Sequence, residues 1–284
     1  MFSVLIANYN NGQYIQEAID SIIAQTYNDW EIVIVDDGSN DNSANIYRQY
    51  NNERIRIYYN GQNKGCTYSK WRCIEECKGE LFGFLDADDT LMPDALECMV
   101  NEHKKNDKAS IVSSRHYLCD EKMCIKYKSR LLNIPNGESY LTKGDFQPEA
   151  FVSFRKTFYQ KTQGLNKNNP YGDDQELLLL MEEVGEWVVI DRFLYKYRVY
   201  DNSISHGRDN YICLYWNIVV YHQACIRRGL NPNNYSYKIF QNTIINTRKR
   251  TEATKPYRIG NAILHPYKWI KQHIKPLRTD VQKK

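Results

Sequence analysis

No stretch of this 284-residue chain approaches the ~20 consecutive apolar residues that a bilayer-spanning helix needs. The opening MFSVLIANYNNG has neither a basic n-region nor a long apolar run, so no secretory leader is expected and a cytosolic setting is. Paired-cysteine signatures are missing too. The eight cysteines are scattered, and although Cys73 and Cys77 sit one helical turn apart, no CxxC pair or Cys/His cluster accompanies them. Free buried thiols are expected rather than a zinc site. The pattern GxxxxGK followed by Ser or Thr is absent, which excludes a P-loop nucleotidase, and no GxGxxG follows the first apolar run, which argues against a dinucleotide oxidoreductase. Neither an internal repeat nor a low-complexity tract occurs.

What is present is an ordinary globular composition, 42% hydrophobic and 25% charged. The length suits one large domain, or a domain with an appendage, and can bury a core without disulfides or metals. Aromatic residues stand out, with 23 Tyr and 5 Trp. They fill a core and its rim, or they line a sugar or interface surface. Charge is uneven: from Arg248 onward eleven Lys and Arg face two acids, Glu252 and Asp280, a net of +9 in a chain whose total is +4. Residues 1–247 therefore carry −5, and the excess base is all in the tail.

The first hundred residues alternate short apolar runs with amphipathic stretches. SVLIA (3–7) reads as a buried strand stopped by Asn8-Tyr9-Asn10-Asn11-Gly12. From Tyr14 to Gln25, Ile15, Ala18, Ile19, Ile22 and Ile23 recur at helical spacing. EIVIV (31–35) is a second buried strand ended by Asp36-Asp37-Gly38-Ser39, followed by a helix from Ser43 to Tyr50. Residues 55–59 make a third strand, followed by a loop and a helix through about Cys77. LFGFL (81–85) is a fourth, ended by Asp86-Ala87-Asp88-Asp89. Such alternation predicts an α/β fold, a mostly parallel sheet with helices on both faces, whose ligands bind beyond the carboxyl ends of the strands. Three of those ends carry polar clusters, which places four or five carboxylates around one crevice. Further on, 110–114 and 188–190 read as strands, 175–184 as a helix after a polar loop, and the chain from Asn210 as helical.

Asp86-Ala87-Asp88 is the sharpest feature. Carboxylates at i and i+2 just past a buried strand can both face one cation while the backbone stays extended, and such hard oxygen ligands suit Mg²⁺ or Mn²⁺ bridging to diphosphate oxygens. A solvated turn or a helix cap before Leu91 explains the same residues without chemistry. Asp36 and Asp37 have the same two readings, as a turn and cap or as acceptors for a nucleobase N–H and ribose hydroxyls. Asp173, Asp174 and Glu176 read either as an acid-rich helix start, favoured by the helix dipole, or as a place for a base. A base has a physical reason: a neutral hydroxyl is a poor nucleophile until a positioned carboxylate takes its proton.

Taken in order, SVLIANYN, EIVIVDDGSNDNS, NKG, FLDADD and GDDQE closely resemble the family 2 glycosyltransferases of inverting type with the GT-A fold, over roughly residues 1–205 and most strongly over 1–95. The resemblance implies a catalytic domain over 1–205, with a nucleotide-binding half (1–95) and an acceptor-binding half (96–205), and a helical, basic extension over 206–284. It implies that Ala7, Tyr9, Asp36 and Asp37 hold the nucleotide base, uracil most often in this family. Lys64 and Lys70 would lie near the ribose and phosphates, and Asp86, with Ala87 beside it, would contact the nucleotide-sugar. Asp88 would bind Mn²⁺ or Mg²⁺, and Asp174 would be the general base, with Asp173 and Glu176 in the same acceptor region. The partners implied are a nucleotide-sugar donor and a glycan or lipid-linked acceptor in cell-surface polysaccharide synthesis. This chain departs from the family in places. Ala7 stands where many members have Pro, Lys70-Trp71 where many have Arg-Asn, Asp173 where Glu often precedes the base, and Tyr200 where a similar stretch has His. His206 lies close by and reads as an ordinary surface residue.

In the tail, Tyr267, Ile270 and Ile274 form an apolar stripe edged by Lys268, Lys271 and Lys275, with Pro266 able to start the helix and Pro276 to end it. Such a helix over 266–278 either lies on an anionic membrane, on the inner face of the cell membrane, or packs on the catalytic domain. Nucleic acid is not expected as a partner, because the rest of the chain is acidic. Two other functions stay in view. A phosphatase of the haloacid dehalogenase type would use a strand followed by DxDxT, as in LFGFLDADDT, but its later acids should follow an apolar strand, and 166–171 is polar. A non-catalytic nucleotide-sugar or glycan-binding protein would keep the same acids.

Overall fold

The structure, a computed structural model, describes residues 1–134, 138–143, 150–200 and 210–234. The expected tail helix over 266–278 and His206 lie outside the described residues. Chain contacts group Met1–Ser236 as one compact unit and Tyr237–Lys284 as a second. Among the described residues no helix is long and apolar enough to cross a membrane.

The first half follows the alternation of its apolar runs: β1 (Phe2–Asn8), α1 (Ile15–Ile23), β2 (Trp30–Asp36), α2 (Ser43–Tyr47), β3 (Ile55–Tyr59), α3 (Cys66–Glu76) and β4 (Leu81–Phe84). The rest comprises β5 (Thr90–Leu91), α4 (Ala95–Lys105), β6 (Ala109–Cys119), β7 (Ile125–Lys128), α5 (Tyr140–Lys143), β8 (Val152–Arg155), α6 (Lys156–Tyr159), α7 (Asp173–Glu182), β9 (Glu186–Arg198) and α8 (Asn210–Arg227). All nine strands join one sheet in the order β3-β2-β1-β4-β8-β6-β9-β5, with β7 paired to β6.

The sheet has two characters. β3, β2, β1 and β4 run parallel. Every residue of β2 is buried, as expected for a strand covered on both faces. Beyond β4 the pairings β4·β8, β8·β6, β6·β7 and β5·β9 are antiparallel, and only β6·β9 is parallel. The sheet is thus mixed rather than mostly parallel, because the short strands β5, β7 and β8 all pair antiparallel. The compact unit also takes in α8, which packs on α7.

Ile15, Ala18, Ile19 and Ile22 of α1 are fully buried and join Val4, Ile6, Ile32 and Ile34 in the core. Burial of each such side chain contributes about 1.5–3 kcal/mol. The aromatic surplus divides between both expected uses: Tyr47, Tyr140, Tyr195 and Tyr221 are buried, whereas Tyr9, Tyr59, Tyr127 and Tyr215 are exposed. All eight thiols are unbridged. Four are buried, but Cys66, at the start of α3, and Cys124, in the β6–β7 turn, are exposed.

Candidate active site

The parallel strands end in register: Asn8 lies opposite Asp36 on β2, and Leu5 opposite Phe84, so the turn after β4 opens beside the end of β1. The acids the sequence places at these ends have different fates. Asp36 accepts from Ser39 N–H (2.7 Å), the Tyr47 hydroxyl (2.9 Å) and Asn8 Nδ2 (3.3 Å). Asp37 accepts from Asn60 Nδ2 (2.7 Å) and from the backbone N–H groups of Lys64 (2.9 Å) and Gly65 (2.8 Å). Both are buried, at 2% and 3% exposure. They knit the DDGS turn to the 60–65 loop, which approaches so closely that a Cβ on Gly38 (φ +76°) would meet the Gln62 backbone at 2.9 Å. Lys64 rests its amine 4.6 Å from the Tyr68 ring. Ala7 is half-buried and Tyr9 is 45% exposed, at the lip of the same strand ends.

In the turn after β4, alternate residues part company. Ala87 is 3% exposed and belongs to the hydrophobic core, and Asp89 is 1% exposed. Asp89 accepts from the Tyr195 hydroxyl (2.7 Å) and Arg198 N–H (2.6 Å) on β9. Arg198 also donates from Nε to the Asp88 carbonyl (2.6 Å), from Nη1 to the Glu121 carbonyl, and from Nη2 to Glu17 (2.8 Å). These bonds fix the turn and leave Asp86 and Asp88 facing the crevice. Asp86 is exposed and its carboxylate accepts no hydrogen bond among the described residues, and the Asp88 carboxylate accepts one, from the Tyr200 hydroxyl at 2.9 Å. Loss of surrounding water pushes the Asp86 carboxyl above its usual range, Asp88 and Asp173 adding to the rise and Lys70 opposing it.

Across the crevice, α7 starts at Gly172, whose left-handed backbone (φ +85°) and the press of Val220 from α8 leave little room for a side chain. Asp173 and Asp174 follow. Lys70 of α3, its side chain 7% exposed, puts Nζ 2.7 Å from Asp173 Oδ2 and 2.6 Å from Asp174 Oδ1. Thr67 adds a hydrogen bond to Asp173 at 3.2 Å. Burial alone would raise Asp173, but Lys70 outweighs it and holds the carboxyl below its usual value. The Lys70 amine is raised, because the two carboxylates outweigh its burial. Asp174 projects into the crevice with its side chain 69% exposed. Although that much of the side chain meets solvent, the protein surrounding the carboxyl, with Asp173 and Asp86 nearby, pushes it up to about 6 against the pull of Lys70. Glu176 turns inward at 1% exposure and holds the preceding loop through Asn166 N–H and Asn169 Nδ2, both at 3.3 Å.

The structure therefore brings together Asp86, Asp88, Lys70, Asp173 and Asp174. It places Asp36, Asp37 and Glu176 in the framework and Ala87 in the core. Sequence reasoning missed Asp89, Tyr195 and Arg198, although the last two lie within five residues of Tyr200, which it had singled out. A separate concavity of about 370 Å³, lined by Ser139, Glu182, Glu183, Arg227 and Arg228, contains none of the crevice acids, and its arginines are paired with its glutamates.

With this geometry in place, the chain can be set beside known proteins. It is 28% identical to the chondroitin synthase of Pasteurella multocida (strain Pm70) over 260 residues, 85% of this chain and 25% of that protein. A glycosyltransferase of Rickettsia felis is 40% identical over 125 residues, 43% of this chain and 20% of that protein. The chain thus spans a fifth to a quarter of the length of these relatives. Residues 1–349 of S. aureus TarS, solved in complex with UDP-GlcNAc, superpose with a TM-score of 0.65 at 14% identity, over 97% of this chain and 76% of that one. The mannosyltransferase PcManGT from Pyrobaculum calidifontis, solved with GDP-Man and Mn²⁺, gives a TM-score of 0.59 at 13% identity, over 92% and 83% of the two chains. These likenesses establish the GT-A fold and leave the phosphatase alternative without support. Residues 3–163, more than half of the chain, match the family described as Glycosyl transferase family 2, and the chain belongs to that family.

Proposed function

We propose that this protein transfers a sugar from a UDP-sugar to a hydroxyl of a glycan or lipid-linked acceptor, with inversion at the anomeric carbon, in the assembly of a cell-surface polysaccharide. One observation carries the reading. A single crevice holds two acid sets of different character, Asp86 and Asp88 with lone pairs to spare on one wall and Asp174, exposed and raised to about 6, on the other. Uridine as the base and a polymer as the product are supported by the UDP-GlcNAc complex of TarS and the chondroitin synthase relative.

Among the described residues no group of three or more His, Cys, Asp or Glu side chains could hold a metal ion. The two carboxylates Asp86 and Asp88 fit a hard cation bound through one or two carboxylates and completed by substrate phosphates, the usual manner of Mg²⁺. Asp88, with Asp86 beside it, would hold Mn²⁺ or Mg²⁺. When bound, the cation supplies positive charge to the diphosphate as it leaves. Asp174 takes the acceptor hydroxyl's proton as the oxygen forms its bond to the sugar's anomeric carbon and the bond to the diphosphate breaks. Attack from the face opposite the diphosphate inverts the anomeric configuration. A carboxyl near 6 is largely ionised at neutral pH yet more basic than an ordinary aspartate. Lys70 keeps Asp174 at its station and lowers the cost of its charge. The basic, aromatic stretch over 266–278 would hold the enzyme against an anionic membrane where lipid-linked acceptors reside.

The test is a calorimetric titration with a panel of nucleotide-sugars, with and without Mn²⁺, on the wild type and Asp88→Asn. Mn²⁺-dependent binding of a UDP-sugar, lost in the variant, is expected. Absence of binding by every nucleotide-sugar would overturn the reading, and binding with no transfer to any glycan acceptor would leave a binding protein. For the tail, deletion after Arg250 should weaken co-sedimentation with anionic vesicles, and unchanged co-sedimentation would remove the membrane role.

A further inference from the structure

One polar contact at the turn after β4 comes from beyond the last strand of the sheet. Two residues after β9 ends, Tyr200 donates its hydroxyl to Asp88 Oδ2 at 2.9 Å. Its ring leans on Tyr14, with centroids 5.5 Å apart and planes at 53°. Tyr14 is itself held: its hydroxyl donates to Glu121 at 3.0 Å, and the Arg198 guanidinium lies 4.3 Å from its ring centroid. The Tyr200 hydroxyl is therefore placed by a ring stack rather than by a flexible stem. It occupies one oxygen of Asp88 and leaves Oδ1 without a protein donor among the described residues. The Asp88 backbone is fixed as well, through the Arg198–carbonyl bond.

A donor on the far oxygen of a ligating carboxylate settles which oxygen and which lone pair face the cation.

We infer that Tyr200 is a positioning residue for the cation shared between Asp88 and the nucleotide diphosphate, holding Asp88 Oδ2 so that Oδ1 is directed at the cation. The inference rests on the proposed nucleotide-sugar reading, and the experiment separates the two. UDP is titrated into the full chain without metal, with Mg²⁺ and with Mn²⁺, and Mn²⁺ occupancy is followed by electron paramagnetic resonance. Tyr200→Phe, which keeps the ring stack and loses the donor, should weaken cation-dependent UDP binding about tenfold with either metal, the low end for loss of an outer-shell partner. Its metal-free UDP affinity should not change, which a general structural defect would not spare. Wild-type cation-dependent affinity in Tyr200→Phe overturns the inference. A wild-type protein that binds UDP with neither cation overturns the parent reading instead.

Discussion

At the end of β2, the carboxylates of Asp36 and Asp37 each accept three hydrogen bonds from the protein. At the end of β4, the Asp86 carboxylate accepts none among the described residues and the Asp88 carboxylate accepts one. The two turns close parallel strands on either side of β1, and both are rich in aspartate. What separates them is who supplies the donors. Around Asp37 the 60–65 loop turns two backbone N–H groups and the Asn60 amide inward. Around Asp86 the polar partners on β9 are spent on Asp89. A carboxylate saturated by its own chain is part of the scaffold, and one left with free lone pairs is available to a ligand.

The comparison is sharpened most by Asp174→Asn. Loss of the base should lower kcat about 10²- to 10⁴-fold while donor affinity, read by calorimetry, is kept. Normal transfer rates in that variant would remove Asp174 from the chemistry. Lys70→Met should shift the pH profile next. Asp174 works as a carboxylate, so the rate falls as pH drops through about 6. Lys70 pulls that value down, and without it the acid limb should move upward by about one unit or more. Lys70→Arg, which keeps the charge, should leave the limb nearer its original place. An acid limb at the same pH in Lys70→Met would show that the amine does not tune the base.

Asp37→Asn probes the other turn. It removes a charge from a saturated, buried position and should cost roughly 1–3 kcal/mol of stability, seen as a lower urea midpoint, with turnover little changed. A collapse of turnover at unchanged stability would place Asp37 among the ligand-binding acids after all. The smallest effect is expected for Gly172→Ala, where a left-handed backbone and a 3.2 Å approach to Val220 should cost about 1–2 kcal/mol. A melting curve checks it.

The parallel half was legible because each of β1 to β4 is a short apolar run closed by polar residues, and because α1 repeats its isoleucines at helical spacing. The antiparallel half was not. β5, β7 and β8 have two to four residues each, too few for a period to show, and the partners of β5 and β8 are remote in sequence. The strand-end acids could be found in the sequence, but their occupancy could not. Asp37 is satisfied from a loop 23 to 28 residues away, and Asp89 from Arg198 across 109 residues. Donor assignment is a property of the folded chain, and no local pattern encodes it.

Lys70 has a consequence for how this protein can be recombined. Its amine, carried by α3 in the first third of the chain, is neutralised by two acids more than a hundred positions later. A chimera that imports the later segment from another protein must therefore bring an acid in the place of Asp173, or the lysine is stranded without a counter-ion. Breaking a buried pair in that way costs roughly 3–5 kcal/mol, a large share of a typical domain's margin. New acceptor preferences are thus easier to graft through surface loops than by exchanging whole halves across that bond.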